Sequence, residues 1–95
     1  MVRYLSLISF TDKGITDVSK SIDRAAAFST AVESKGGKVL NQYWALGEVD
    51  GCLIFECPDD QVAAALLLQL GKEDNVRTKT MRVFDATEFG TIVAG

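Results

Sequence analysis

Histidine is absent from this 95-residue chain, and proline and cysteine are scarce, with one and two residues respectively. Without histidine, the chain can form neither a Ser-His-Asp nor a Cys-His nucleophile, and no two-histidine metal site. We therefore predict no metal and no cofactor. The net charge is −3, whereas nucleic-acid binding needs clustered Lys and Arg to displace counterions from phosphates. The sequence thus predicts no nucleic-acid partner.

Long hydrophobic runs are also missing. The longest apolar stretch after the N-terminus, residues 62–68, is far below the roughly 18 residues of a membrane span. An arginine and two serines interrupt the first ten residues, which is not typical of a signal peptide. Cys52 and Cys57 fall in one predicted strand, roughly 16 Å apart, and a disulfide needs less than about 7 Å. We expect one cytoplasmic domain, residues 1–95, without membrane association or an internal disulfide.

The pattern of apolar residues predicts the element order β-α-β-β-α-β. Predicted strands cover residues 4–10, 38–46, 51–57 and 76–84. The first predicted helix begins near Ser21, and the second covers residues 62–70. Residues 11–20 are predicted to be irregular, Ser21 or Asp23 to cap the first helix, and the Gly36-Gly37 pair to end it. Asp85 and Glu88 have capping-box spacing for a short C-terminal helix. This order predicts an α+β, ferredoxin-like fold: a four-stranded antiparallel sheet with both main helices on one face.

The sheet face that the helices leave uncovered is predicted to be apolar. Such a face normally carries polar residues in a monomer, yet in the first three predicted strands either alternating set of side chains is largely Leu, Ile, Val, Cys or aromatic. An apolar patch of this size usually has a partner. We therefore expect self-association into a homodimer or larger assembly through the open face. The alternative is a monomer whose terminal helix covers that face.

The connection between the second and third predicted strands contains the main candidate ligand-binding residues, Tyr43, Trp44, Gly47 and Asp50. Because Tyr43 and Trp44 are adjacent in a strand, their rings are predicted to point to opposite faces. One would be a core aromatic and the other an interface aromatic, unless one of them stacks on a ligand. Asp50 and Glu48 either shape the turn or form a carboxylate pair.

Arg77 and Lys79 are a second candidate binding pair. They share one face of the fourth predicted strand, about 6.6 Å apart, which is close enough to hold a carboxylate or a phosphate. The alternative is a solvated edge that protects the sheet from aggregation. Asn75, directly before this strand, is predicted to make a turn.

The order of several short motifs resembles the GYD domain family. These motifs are residues 4–10 followed by Thr11-Asp12 and Gly14, then Gly36-Gly37-Lys38, Tyr43-Trp44, Leu46-Gly47-Glu48, Asp50, Pro58-Asp59-Asp60, residues 63–68 and Asn75-Val76-Arg77-Thr78. The resemblance spans about residues 2–90 and implies a ferredoxin-like fold of the dimeric α/β-barrel type. The chain departs from the family at its namesake Gly-x-Tyr-Asp motif, where Val49 stands in place of tyrosine. Only Gly47 and Asp50 carry over from that motif.

Two classes of function remain open from the sequence, and no catalytic residue is identified. The first is a non-catalytic oligomeric module that binds a small molecule or a partner at the open sheet face. The second is a small cofactor-independent enzyme, such as an oxygenase or isomerase, with a cavity near the connection of residues 47–50. The second rests only on analogy with other dimeric α/β barrels.

Overall fold

The computed structural model describes all 95 residues, and it contains four strands and four α-helices. In chain order these are β1 (Val2–Phe10), α1 (Asp12–Thr16), a 3-10 turn (Val18–Lys20), α2 (Ser21–Ser34), β2 (Lys38–Trp44), β3 (Gly51–Cys57), α3 (Asp60–Lys72), β4 (Val76–Arg82) and α4 (Ala86–Val93). None of these helices is long and apolar enough to cross a bilayer.

The four strands form one sheet in the order β2-β3-β1-β4, and every neighbouring pair is antiparallel. The two halves of the β-α-β-β-α-β chain therefore interleave, with β1 and β3 at the centre. Residues of α2 and α3 pack against the same face of the sheet. This arrangement confirms the predicted α+β, ferredoxin-like fold.

The hydrophobic core lies between that face and the two main helices. Phe55 of β3 is fully buried; Tyr4 stacks on it at 5.2 Å between ring centroids and Phe28 of α2 meets it edge-on at 5.8 Å. Val32 and Leu53 are also buried. Fully burying one such side chain contributes about 1.5–3 kcal/mol, so this cluster fixes which face of β1 and β3 points toward the helices.

The segment between β1 and α2 differs from the prediction. It is helical because the Thr11 side chain accepts a hydrogen bond from the Gly14 N–H and begins α1. The predicted cap of α2 is also wrong: Lys20 occupies the cap position without a side-chain hydrogen bond. Ser21 instead accepts a hydrogen bond from Trp44. Gly36, at φ +85°, supplies the left-handed residue predicted after the helix.

The C-terminal helix α4 begins as predicted and then leaves the sheet. Asp85 and Glu88 make the reciprocal hydrogen bonds of a capping box, and Arg3 bridges both carboxylates at 3.1–3.3 Å. Beyond this anchor α4 has no buried residue, and its side chains at positions 89, 92 and 93 are more than half exposed. The terminal helix therefore does not cover the open sheet face.

The strand registers assign every side chain to one of the two faces. Leu7 pairs with Cys52 and Lys79, and Leu5 pairs with Ile54 and Met81. Their neighbours Tyr4, Ser6 and Leu53 are buried under the helices, so these alternate residues point to the other side. The open face thus has an apolar centre made by Leu5, Leu7, Cys52 and Ile54, with Tyr43 and Met81 beside it.

Candidate functional site: a cavity under the helices

Tyr43 and Trp44 end β2 and point to opposite faces of the sheet. Trp44 lies on the helix side, where its indole N–H donates a 2.8 Å hydrogen bond to Ser21 Oγ. Tyr43 pairs with Cys52 on the open face and is 58% exposed. The chain therefore places the two aromatic rings in different environments, and they do not form one site.

Gly47 and Asp50 lie in the loop between β2 and β3. The Asp50 carboxylate accepts a 2.8 Å hydrogen bond from the Phe10 N–H, and its own N–H donates to the Ile8 carbonyl at 2.8 Å. These bonds fix the loop against the end of β1. Gly47 is exposed, and a Cβ at this position would meet no atom. Neither residue lines a cavity.

Arg77 and Lys79 point to the open face of β4. The Arg77 guanidinium donates to Asp74 Oδ1 at 2.8 Å and to the Gly71 carbonyl at 3.2 Å. Lys79 makes no ion pair. This pair is on the opposite side of the sheet from Trp44, so the structure does not bring the predicted binding residues together.

A cavity of about 60 Å³ lies between α2, the end of α3 and the helix-side face of the sheet. Its floor comes from β1, β2 and β3, and its walls come from the two helices and the start of β4. The lining is mixed: apolar side chains form most of it, and polar groups stand around them. The lining residues are Ile8, Ser21, Arg24, Ala25, Phe28, Gln42, Trp44, Leu53, Leu70, Glu73, Asn75 and Val76.

Asn75 is the unusual residue of this cavity. It is 9% exposed, and its Oδ1 is the only buried side-chain polar atom of the chain without a hydrogen-bond partner. Its backbone is held closely, because its carbonyl accepts the Thr11 N–H at 3.1 Å. A Cβ on Gly14 would lie 1.9 Å from that same carbonyl oxygen. The fold thus fixes a buried amide oxygen whose hydrogen bond is unmade, which is costly in a protein interior.

Two opposite charges flank the cavity. Arg24 of α2 makes only long contacts, at 3.4 Å to the Asp17 carbonyl and at 3.9 Å to the Asp17 carboxylate. Glu73, just after α3, is exposed and forms no ion pair. No group of three Asp, Glu or Cys side chains lies close enough together to hold a metal ion. The cavity offers hydrogen bonding and one weakly engaged guanidinium.

A strongly perturbed phenol lies outside the cavity. Tyr4 donates a 2.5 Å hydrogen bond to Asp60 Oδ1 at the start of α3. Burial, and then this hydrogen bond to a carboxylate, raise the pKa of Tyr4 well above its usual value. Tyr4 does not line the cavity. Its hydrogen bond to Asp60 joins β1 to α3, and we assign it a structural role.

Of the twelve cavity-lining residues, only Trp44 is among the candidate binding residues predicted from the sequence. Arg24 and Phe28 are four residues apart, so they share one face of α2, and this spacing is a signal that a cation lies beside an apolar side chain. Asn75 carried a weaker signal, a polar residue directly before a strand. Its burial results from the contact with Thr11 and Gly14, some sixty residues away in the chain, which no local pattern indicates.

Solved structures with the same fold support the topology. MtbAldR (Rv2779c) superposes with a TM-score of 0.64 at 10% sequence identity, over 88% of this chain and 53% of that chain. A glycine-to-threonine mutant of Rv3291c gives 0.63 at 19% identity, over 90% and 52%. TTHA0845 from Thermus thermophilus gives 0.56 at 20% identity, over 90% and 96%. The chain thus spans about half the length of the first two proteins, and at these identities the likeness concerns the fold alone.

Sequence comparison supplies the family. A search of the curated proteins finds no match. The family model of the GYD domain, in contrast, matches residues 4–93, nearly the whole chain. Together with the ferredoxin-like sheet, this match confirms the resemblance carried by the short motifs, and the chain belongs to the GYD domain family.

Proposed function

We propose that this domain is a self-associating, non-catalytic module in which two copies pack their open sheet faces together as a dimeric α/β barrel. The observation that carries the proposal is the apolar centre of the open face, formed by Leu5, Leu7, Cys52 and Ile54. In water this centre favours burial, at about 25 cal/mol for each Å² of apolar surface removed from solvent. In the cavity beneath α2 the one lining carboxylate, Glu73, is exposed, which gives no support to the enzyme alternative.

The size of the surface supports a second copy as its occupant. Four strands about 4.8 Å apart and roughly 23 Å long present on the order of 440 Å² of projected area. A stable dimer buries about 800 Å² on each partner. Helix α4 supplies further apolar surface, because it extends from the sheet with Phe89, Ile92 and Val93 exposed. A second copy would cover both the face and the helix.

The charges on the face are also compatible with a two-fold pairing. One end has three carboxylates, Glu56, Asp85 and Glu88, around Arg3, with Lys38 opposite Glu56 in the strand register. The opposite half of the face has Lys79, which has no ion-pair partner. A two-fold axis that runs across the strands near Leu5 would bring the basic half of one copy to the acidic end of the other. Such complementarity sets register and orientation more than affinity.

Light scattering coupled to size-exclusion chromatography tests the proposal. At micromolar concentration we expect twice the 10.3 kDa mass of the chain. Leu7→Lys should give the single-chain mass, because it places a charge at the centre of the interface. The matched control is Leu68→Lys on α3, where the leucine is 72% exposed on the helix side, and it should remain a dimer.

Circular dichroism should show native secondary structure for both variants, and Ile54→Glu provides a second disruption of the same face if Leu7→Lys does not fold. A wild-type particle with the mass of one chain at about 10 μM would contradict the proposal. So would dissociation of the Leu68→Lys variant with an intact Leu7→Lys dimer.

A further inference from the structure

We infer that helix α4 of each copy packs against the loop of residues 45–50 of the other copy, through Leu46, at both ends of the paired sheets. We call this contact the end contact. It rests on the proposed function, because it assigns the parts of the two copies that meet beyond the sheet faces. The observations that carry it are two exposed apolar features that the topology places at opposite ends of one chain.

The first feature is one face of α4. Phe89, Ile92 and Val93 have the spacing that puts side chains on one side of a helix, and each is more than half exposed. The base of the helix is fixed, because Arg3 pairs with both carboxylates of the capping box. Arg3 precedes the buried Tyr4 in β1, so this anchor is on the open side of the sheet. Helix α4 is thus held in place with its apolar face uncovered, which lowers the entropic cost of binding.

The second feature is Leu46, in the loop that joins β2 to β3. It is the most exposed large hydrophobic residue of the chain. The loop itself is fixed, because the Ala45 N–H donates to the Asp50 carbonyl and the Asp50 N–H donates to the Ile8 carbonyl, each at 2.8 Å. Burial of the leucine against another molecule is favourable, and little ordering of the loop is needed.

The sheet topology keeps the two features apart within one chain. Helix α4 follows β4 and begins at the end of the sheet where β1 starts and β3 ends. The loop of residues 45–50 lies at the other end, where β2 ends and β3 starts. At about 3.3 Å per residue, the length of β3 separates the two ends by roughly 23 Å. A contact between α4 and Leu46 therefore has to join two copies.

The proposed two-fold pairing brings the two features together. An axis across the strands near Leu5 turns the second sheet end for end, and Leu5 pairs with Ile54 at the middle of β3. The α4 end of one copy then meets the loop end of the other, and both segments extend beyond the strands there. Charge complementarity favours this orientation over one in which like ends meet, because the acidic end then lies near Lys79 of the partner and not near a second set of carboxylates.

The area of the sheet face also supports contacts beyond it. The face offers on the order of 440 Å² of projected area, about half of the roughly 800 Å² that a stable dimer buries on each partner. Each copy supplies both an α4 and a Leu46, so a two-fold dimer contains the end contact twice. The end contact thus adds apolar area on both sides of the sheet interface.

An isotope-filtered NMR experiment tests the end contact directly. When ¹³C-labelled and unlabelled chains are refolded together, NOEs from labelled to unlabelled protons arise only between copies. We expect such NOEs between the methyl groups of Leu46 and those of Ile92 or Val93. A dimer whose intermolecular NOEs include Leu5 and Leu7 but neither Leu46 nor α4 would overturn the inference and leave the proposed function intact. A wild-type chain that stays monomeric would overturn both.

A charge exchange tests the same contact by affinity. Ile92→Glu and Leu46→Lys should each raise the dimer Kd about 100-fold in sedimentation equilibrium, because each change is present in both end contacts. The double variant should recover about tenfold or more of that loss, since opposite charges then meet between copies. Both residues are exposed in one copy, so circular dichroism should show native secondary structure for each variant.

The matched control combines Ile92→Glu with Leu68→Lys, which adds the same charge on the exposed side of α3 and should recover nothing. An unchanged Kd in both single variants, or equal recovery with Leu68→Lys, would overturn the inference. Leu7→Lys tests the sheet interface separately, so a dimer that this variant dissociates and Ile92→Glu does not would contradict only the end contact.

Discussion

Replacing Asn75 by leucine should stabilise the protein. A buried amide oxygen without a partner costs about 1–3 kcal/mol, and Asn75 Oδ1 is such an atom. Leucine has a similar volume, and its imperfect fit should cost less than about 1.5 kcal/mol. The backbone hydrogen bond from Thr11 does not involve the side chain, so it persists in the variant. We therefore expect the free energy of unfolding to rise by about 1 kcal/mol, and Tm by about 4–8 °C for a domain of this size.

Urea unfolding followed by the fluorescence of the single tryptophan measures this change directly, because Trp44 lines the same cavity. Wild type and variant must be compared at one protein concentration, since self-association stabilises the folded state. Asn75→Asp is the matched comparison: it keeps the shape, adds a charge at a buried position and should destabilise the fold. A loss of more than about 1 kcal/mol in Asn75→Leu would refute the reasoning, since it would mean that the amide is well hydrogen-bonded.

Two further predictions concern the contacts that hold the fold together. Gly14→Ala should destabilise the protein by more than about 2 kcal/mol in urea unfolding, because the new Cβ would lie 1.9 Å from the Asn75 carbonyl oxygen. The control is Gly71→Ala, where a Cβ meets no atom, and it should stabilise the protein by about 0.4–1 kcal/mol. Equal effects at the two positions would contradict this prediction. Above pH about 10 the unfolded phenol of Tyr4 ionises while burial and Asp60 keep the pKa of the folded phenol raised, so stability falls as pH rises. Tyr4→Phe should lack this part of the fall, and a stability difference between wild type and Tyr4→Phe that does not change between about pH 8 and pH 11 would argue against it.

Local sequence signals predicted the bounds of an element well where a short motif marks its beginning or end. The pair Asp85 and Glu88 forms the predicted capping box, and β3 has the predicted bounds, residues 51–57. The prediction was wrong for residues 11–20, which were expected to be irregular but contain α1. A five-residue helix that includes a glycine has little intrinsic stability, so the local sequence did not indicate it. Helix α1 depends on its cap at Thr11 and on the fit of Gly14 against Asn75, directly before β4.

The candidate site was harder to predict than the fold. The patterns of β1 and β3 were apolar on both faces, so the sequence could not decide whether Tyr43 or Trp44 pointed to the helices. In the structure Trp44 pairs with Gly51 and Tyr43 pairs with Cys52, and this register points Trp44 to the helices and Tyr43 to the open face. The Asn75 side chain is buried only because distant segments cover it, and burial of this kind is a tertiary property without a sequence period.

The balance between buried and exposed apolar residues links the proposed dimer to stability. The core cluster contains nine buried residues, whereas thirteen large hydrophobic side chains are exposed, so a single copy leaves much of its apolar surface in water. A domain of this size has a small free energy of unfolding to begin with. Burial of the open face against a second copy would add to it, while the unpartnered amide of Asn75 subtracts from it. Stability is therefore expected to increase with protein concentration, because association with a second copy stabilises the folded state.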